Sequence, residues 1–176
     1  LEFLGRKEES AKSYERAYEI SPKDPKILLA MGRNRALAGY TEEALQLFVE
    51  ATKGASTNRV RVEAFTNASA LKRSQGYVGE ALDLSSRAIF VDRKFGPALS
   101  NHGINLVVTG KFNEGVAFLR EAMAANVRSA QPYWWIGIAL RSGGQYEDAI
   151  ENQKRGLDLI ENDNTLVGSE AINNGR

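Results

Sequence analysis

The feature that most constrains the fold is a segment that recurs about every 34 residues. Each copy opens with glycine and closes with a small residue, as in "GYTEEALQLFVEA" (39–51) and "GKFNEGVAFLREA" (110–122). The opening glycines are Gly5, Gly39, Gly76, Gly110 and Gly144, which are 34, 37, 34 and 34 residues apart. Three extra residues near 59–61 account for the longer spacing. A period of this length predicts a chain built by stacking copies of one structural unit.

A second element precedes each copy from Gly39 onward. It carries a large apolar residue, a further core position three residues later and then a tiny residue. These columns are Leu28/Met31/Gly32, Phe65/Ala68/Ser69, Leu99/His102/Gly103 and Tyr133/Ile136/Gly137. The spacing marks one face of a helix, on which the tiny residue lets a neighbouring helix approach closely. Pro25, Pro97 and Pro132 stand where these helices begin. Each unit is therefore a helix, a tight turn and a second helix, and the turn glycine suits a position of positive φ.

Composition excludes several classes of protein. The net charge is +1, and this balance gives no support to broad binding of nucleic acid or anionic membrane. Without cysteine, disulfides and thiolate metal sites are excluded. No apolar run approaches the roughly 20 residues of a membrane-spanning helix, and nothing resembles a signal peptide. We therefore expect a cytoplasmic protein without membrane insertion. Because the first residue is Leu1, we also expect a piece of a longer chain.

The repeated pattern resembles the tetratricopeptide repeat family. The residues that carry the resemblance are Leu28/Met31/Gly32 with Ala44/Phe48/Ala51, Tyr133/Ile136/Gly137 with Ala149, and Pro22 at the close of the first copy. Ser85 and Gln153 depart from the pattern, because the family has an aromatic residue there. The resemblance covers residues 1 to about 163. It implies an all-α fold, a right-handed superhelical solenoid of antiparallel helix pairs.

The period also predicts where each repeat begins and ends. We expect a partial repeat at 1–24, complete repeats at 25–58, 62–95, 96–129 and 130–163, and then either a tail or the start of a capping helix at 164–176. Residues 1–4 look like the last turn of a helix whose start is missing. We infer that the chain was cut from a longer array, or that this end docks on another molecule.

Residues suited to catalysis are scarce. The single histidine, His102, occupies a packing column, so a packing role is expected rather than a catalytic one. There is no second histidine or cysteine to complete a metal-ligand cluster. We expect no catalytic residue, no cofactor and no metal site, and hence a protein that is not an enzyme.

The resemblance implies that the first helix of each pair lines a concave groove. The positions expected to contact a partner are Lys26, Leu29, Arg33, Asn67, Arg73, Asn101, Trp134, Ile138 and Arg141. Four of these are basic, which favours a protein or peptide partner that is acidic or has a free C-terminal carboxylate. The alternative is that the arginines merely solvate a helix face. For Trp134 the alternative is that it covers the end of the solenoid beneath 164–176.

Two binding modes known in the family match this sequence in part. Chaperone-binding members use a lysine–asparagine–arginine clamp, to which Arg33 and Asn67 correspond, but Pro97 and Asn101 stand where further basic residues are needed. Asn67 and Asn101 are also similar to the asparagine ladder of O-GlcNAc transferase-type glycosyltransferases. That ladder is interrupted here at Ala30 and Trp135.

Three functions remain open at this point. The one we favour is a non-enzymatic scaffold that binds a peptide or protein segment in the concave groove. The second is the substrate-recruiting arm of a larger enzyme, such as a glycosyltransferase. The third is self-assembly through the ends of the solenoid.

Overall fold

The computed structural model describes residues 12–55, 57–125 and 129–173, with side chains described up to residue 161. All regular structure in these ranges is helical. The helices are α1 (12–20), α2 (Pro25–Leu37), α3 (Thr41–Gly54), α4 (Asn58–Ser74), α5 (Val78–Val91), α6 (Gly96–Val108), α7 (Phe112–Ala124), α8 (Gln131–Ser142) and α9 (Tyr146–Asn173). The expectation of an all-α solenoid is confirmed. Residues 164–173 continue α9, whereas residues 1–4 and Gly5 lie outside the described ranges.

The helix starts agree with the local sequence signals. Asp24 precedes α2, and its side chain accepts a hydrogen bond of 2.8 Å from the Lys26 backbone N–H. The Thr57 hydroxyl accepts a longer bond, 3.4 Å, from the Val60 N–H at the start of α4. The three prolines that mark helix starts lie in the first turns of α2, α6 and α8. These positions lose nothing by lacking an N–H, because no intrahelical acceptor faces it there.

The turn inside each described pair is built on a glycine in the left-handed region. The φ angles are +87° at Gly39, +84° at Gly76, +81° at Gly110 and +77° at Gly144. A side chain would be strained in this conformation, whereas glycine adopts it freely. The sequence-based expectation for these four glycines is confirmed, and each first helix therefore reverses into its second helix within a few residues.

The tiny residues bring the two helices of a pair into close contact. A Cβ atom placed on Gly32 would lie 2.6 Å from a ring carbon of Phe48. One placed on Gly103 would lie 2.8 Å from Leu119 Cγ and 2.9 Å from the Gly115 carbonyl oxygen. Real side chains do not reach such distances without displacing a neighbour. The glycines are therefore required for the observed approach of α2 to α3 and of α6 to α7.

The helices form two layers. Each first helix packs against its own second helix, and α2, α4, α6 and α8 also pack against one another in that order. The second helices α3, α5, α7 and α9 make no comparable contacts with one another within the described ranges. Closer packing of the first helices curves the stack, so that α2, α4, α6 and α8 lie on the inner, concave side.

One part of the core is polar. Asn105 of α6 is fully buried, and its Nδ2 group donates to Ser69 Oγ (2.9 Å), the Ala81 carbonyl (3.0 Å) and Ser85 Oγ (3.1 Å). Ser69 Oγ also donates to the Ala81 carbonyl at 2.8 Å. Buried polar groups are tolerated where such bonds are made. The polar cluster formed by Ser69, Ser85 and Asn105 therefore joins α6 to the preceding pair, α4–α5.

His102 lies at the edge of this polar cluster. Its Nδ1 atom is 2.9 Å from Ser85 Oγ, and its ring meets the Phe118 ring edge-to-face with centroids 4.6 Å apart. Burial lowers the pKa of His102, and Arg93 lowers it further, while Glu114 acts in the opposite direction. The expected packing role of His102 is confirmed.

Candidate functional site

Charge is divided between the two layers. The first helices α2, α4, α6 and α8 carry eight basic residues and one acidic residue. The basic ones are Lys26, Arg33, Arg35, Arg59, Arg61, Lys72, Arg73 and Arg141, and the acidic one is Glu63. The second helices α3, α5, α7 and α9 carry five basic and fourteen acidic residues. The net charge of +1 therefore conceals a basic inner layer and an acidic outer layer.

The single acid of the inner layer is shared by two arginines. The Glu63 carboxylate pairs with Arg33 of α2 through one oxygen and with Arg59 of its own helix through the other. The Glu63 side chain is 18% exposed, while Arg33 and Arg59 are 49% and 69% exposed. Arg59 also lies over the Phe95 ring, 4.7 Å from its centroid. One carboxylate for two guanidinium groups leaves this part of the concave surface positively charged.

Arg73 is held in place by amides rather than by an acid. Its Nη1 group donates to Asn105 Oδ1 at 3.0 Å and to Asn101 Oδ1 at 3.2 Å. The side chain is half-buried, and burial lowers the pKa of its guanidinium. Arginine nevertheless stays charged in proteins. Within the described residues no carboxylate pairs with Arg73. Arg73 therefore places a fixed positive charge on the inner layer.

The two asparagines of the expected ladder differ in their environment. Asn101 uses both ends of its amide: its Nδ2 group donates to the Thr66 carbonyl at 3.0 Å, and its Oδ1 accepts from Arg73. The Asn67 amide has no hydrogen-bond partner among the side chains and backbone groups described. A free amide can both donate and accept, so Asn67 is available to a peptide backbone and Asn101 is not.

The remaining expected contact residues are not equally accessible. Lys26 and Arg141 are exposed, Trp134 is 38% exposed, and Ile138 is half-buried against the core of the α6–α8 region. Leu29 is only 4% exposed and belongs to the core formed by α2, α3 and α4. The structure therefore offers Lys26, Trp134 and Arg141 on the surface, and it places Leu29 in the core.

Asn105 is the residue that sequence reasoning misses. A signal for it exists, because Ser69 occupies a column that is glycine in the other pairs and Ser85 one that is Phe48 or Leu119 in two of them. Two small polar residues that face each other leave both space and hydroxyl oxygens that can still accept hydrogen bonds. A buried amide from the next helix satisfies both needs.

Two further observations restrict the chemistry of the described part of the chain. Within it, no group of three or more His, Cys, Asp or Glu side chains could hold a metal ion. None of the described helices is both long enough and apolar enough to cross a membrane.

Comparison with known proteins agrees with this architecture. MamA superposes with a TM-score of 0.71 at 17% identity, over 93% of this chain and 94% of that one. YrrB, a TPR protein with an unusual peptide-binding site, superposes with a TM-score of 0.63 at 16% identity, over 90% and 80%. A chain of the APC/C hetero-tetramer Cut9–Hcn1 gives 0.79 at 13% identity, over 89% of this chain and 30% of that one. At such low identity these likenesses show the fold alone.

The fold and the layer arrangement define an α-solenoid of helical hairpins. The family model described as tetratricopeptide repeat matches residues 1–24 and 130–163. No curated protein sequence matches the chain. The resemblance of the sequence to the tetratricopeptide repeat family is confirmed in these two segments.

Proposed function

We propose that the protein is a non-enzymatic scaffold that binds an acidic peptide or protein segment in its concave groove. The observation that carries the proposal is the excess of basic residues on the first helices, which carry eight basic residues and one acidic residue. Six of the eight remain for the inner layer, because Arg35 pairs with Glu15 and Glu43, and Lys72 pairs with Glu80. An acidic segment would gain charge-assisted hydrogen bonds there, which are stronger than those between neutral groups. The acidic outer layer would repel the same segment, so binding is directed to the groove.

The two halves of the groove suggest different contacts. The half formed by α2 and α4 holds Lys26, Arg33 and Arg73, together with the free amide of Asn67. In the other half α6 has no charged residue, and α8 offers Trp134 and Arg141. Tryptophan and arginine are the residue types most enriched at interface hot spots. The proposed segment would place its acidic part on α2 and α4 and an apolar part near Trp134.

The test is fluorescence anisotropy with a labelled hexaglutamate peptide, prepared both with a free C-terminus and with a C-terminal amide. We expect binding that weakens as salt is added, because the contacts are largely exposed. Lys26→Glu combined with Arg33→Glu should weaken binding roughly tenfold or more, which corresponds to about 1.4 kcal/mol. A preference for the free acid over the amide would favour recognition of a C-terminal carboxylate.

Lys53→Glu provides the matched control. Lys53 is an exposed lysine on α3, in the outer layer, and the change alters the total charge in the same direction. It should leave peptide affinity within about twofold of wild type. The single variant Lys26→Glu gives the direct comparison. If Lys53→Glu and Lys26→Glu reduce peptide affinity equally, then net charge and not the groove attracts the peptide, and the proposal fails.

A second function, self-association, is favoured by the exposed face of α9. Tyr146, Ile150, Leu157 and Ile160 are 63%, 52%, 45% and 44% exposed. One repeat earlier, Phe112, Val116 and Met123 of α7 occupy the matching positions and pack against the core that includes Ile136 of α8. The α9 face thus has the pattern of a surface that a further first helix covers. Because α9 carries seven acidic and two basic residues, repulsion opposes α9–α9 pairing and favours contact with the basic inner layer of a second copy.

Light scattering over a concentration series tests self-association. We expect the average mass to rise with concentration and to fall back to that of a monomer in the variant Ile150→Lys/Leu157→Lys. Phe90→Lys is the control, because Phe90 is 93% exposed on α5 and lies outside the α9 face. A wild-type protein that stays monomeric at millimolar concentration would rule out this second function.

A further inference from the structure

A pocket of about 350 Å³ opens on the concave side between α2 and α4. Ala36 and Leu37 of α2 form one wall, Ala70 and Leu71 of α4 form the other, and Phe48 of α3 lies at the bottom. Leu37 is 79% exposed, whereas Phe48 is 1% exposed. Pockets for whole small-molecule ligands span roughly 300 to 1,000 Å³, so this one is near the lower limit. Its apolar lining suits an apolar side chain of a bound peptide, and its volume leaves room for one.

We call the contact between two successive first helices a junction. In the next junction along the stack, the position equivalent to this pocket is filled by side chains. Between α4 and α6 the residue that corresponds to Ala36 is Arg73, whose side chain bonds to Asn101 and Asn105. The residue that corresponds to Ala70 is Ile104, which is fully buried. The pocket therefore exists because two alanines stand where the neighbouring junction has an arginine and an isoleucine.

The junction between α6 and α8 is filled as well. There Val107 corresponds to Ala36 and is 3% exposed, and Ile138 corresponds to Ala70 and is half-buried. Two of the three junctions thus complete their packing with the protein's own side chains. The junction between α2 and α4 leaves an apolar hollow, with an exposed leucine at its edge.

We infer that this pocket receives one leucine-sized apolar side chain of the acidic segment, an inference that rests on the proposed function. Arg33 and Asn67 border the pocket. Arg33 belongs to the group in which two arginines share Glu63, so the entrance is positively charged. Asn67 has its amide free to hold the backbone of an extended peptide. Acidic residues on either side of the apolar side chain would meet this basic border.

The inference can be tested with two amidated heptapeptides that carry six glutamates around a central leucine or a central alanine. We expect wild-type protein to bind the leucine peptide about tenfold more tightly. Ala70→Ile introduces the residue that the other junctions have at this position, and it should reduce affinity for the leucine peptide to that of the alanine peptide. Affinity for the alanine peptide should not change. In the wild-type complex, NMR should show nuclear Overhauser effects between the leucine methyl groups and the Phe48 ring.

Ala36→Val, which likewise introduces the residue of a neighbouring junction, is the second variant and should act in the same direction. Ala117→Ile is the control, because Ala117 is exposed on α7 in the outer layer. Thermal unfolding shows whether each variant stays folded. If the two peptides bind wild type equally, or if neither pocket-filling variant reduces binding of the leucine peptide, the pocket inference is wrong while the basic groove stands. If neither peptide binds, the proposed function is wrong and the pocket inference falls with it.

Discussion

The helix pairs α2–α3 and α4–α5 fill the equivalent position in their cores in different ways. In α2–α3 a glycine, Gly32, faces the large ring of Phe48, which is 1% exposed. In α4–α5 the corresponding residues are Ser69 and Ser85, and Asn105 from the following pair fills the space between them. The first pair completes its core with its own residues, whereas the second needs a residue of its neighbour.

This difference bears on how the solenoid holds together. Apolar contacts tolerate small shifts, whereas a buried amide that loses its partners costs the desolvation of each group. The polar cluster therefore couples α4–α5 to α6 more specifically than apolar packing would. In a solenoid, stability is approximately the sum of repeat terms and nearest-neighbour terms. The polar cluster adds to a nearest-neighbour term.

The largest expected effect is at an apolar pair. Gly103→Leu should destabilise the fold by about 3 kcal/mol or more, because even a Cβ atom there would lie 2.9 Å from the Gly115 carbonyl oxygen. Urea unfolding followed by circular dichroism measures this. Gly79→Leu on α5 is the control, since a Cβ atom there meets nothing within 4 Å. Similar losses of unfolding free energy in Gly103→Leu and Gly79→Leu would mean that the close approach of α6 to α7 does not cause the destabilisation.

The next effect is at the polar cluster. Asn105→Leu should cost about 2 kcal/mol, because it leaves the hydroxyls of Ser69 and Ser85 without their amide partner. The triple variant Ser69→Gly/Ser85→Leu/Asn105→Ala copies the apolar arrangement and should recover most of that loss in the same unfolding assay. A triple variant less stable than Asn105→Leu alone would show that the two arrangements are not interchangeable.

A smaller effect is expected for Arg73, which joins this cluster to the groove. Arg73→Met should destabilise by about 1 kcal/mol, because the two amide oxygens of Asn101 and Asn105 lose a charged donor. Arg33→Met should stay within about 0.5 kcal/mol, since Arg33 is 49% exposed and Glu63 keeps Arg59 as a partner. The difference between the urea-unfolding midpoints of the two variants measures how much Arg73 contributes to the stability of the fold.

The smallest effect concerns pH. The pKa of His102 is lower in the folded protein than its ordinary value of 6.5, chiefly because of burial. The unfolded chain therefore takes up the proton first as the pH falls, and stability decreases below about pH 6.5. His102→Gln should remove this part of the pH dependence. The check is the unfolding free energy of wild type minus that of the variant, measured at pH 7.5 and again at pH 5.5. This difference should be smaller at pH 5.5, or of opposite sign.

The repeating columns predict most of the fold and less of the site. Gly39 and its three equivalents predict the turns, because only glycine adopts positive φ without strain. Gly103 predicts a close helix contact for a different reason, because a Cβ atom there would collide with the neighbouring helix. Leu29 shows the limit, because a first helix contacts its partner and a helix on either side, which leaves only a narrow exposed face. Helical spacing cannot separate that face from the adjoining interface.

The partners of individual polar side chains are also outside what spacing predicts. Arg73 appears in the sequence as a groove residue, yet its direction is set by Asn101 and Asn105, about one repeat away. Helical spacing does not predict the pocket between α2 and α4 either, because the pocket exists where the side chains of Ala36 and Ala70 are too short to fill the space. Both become visible only when neighbouring junctions are compared in three dimensions.

The division of charge between the two layers gives the molecule an electric dipole across its thickness. The positive end points out of the concave mouth and the negative end out of the convex back. An anionic partner within a Debye length, about 8 Å at physiological ionic strength, would exert a torque that turns the mouth toward it. Encounters would then begin in the correct orientation more often than chance allows, so that added salt should lower the association rate more than it raises the dissociation rate.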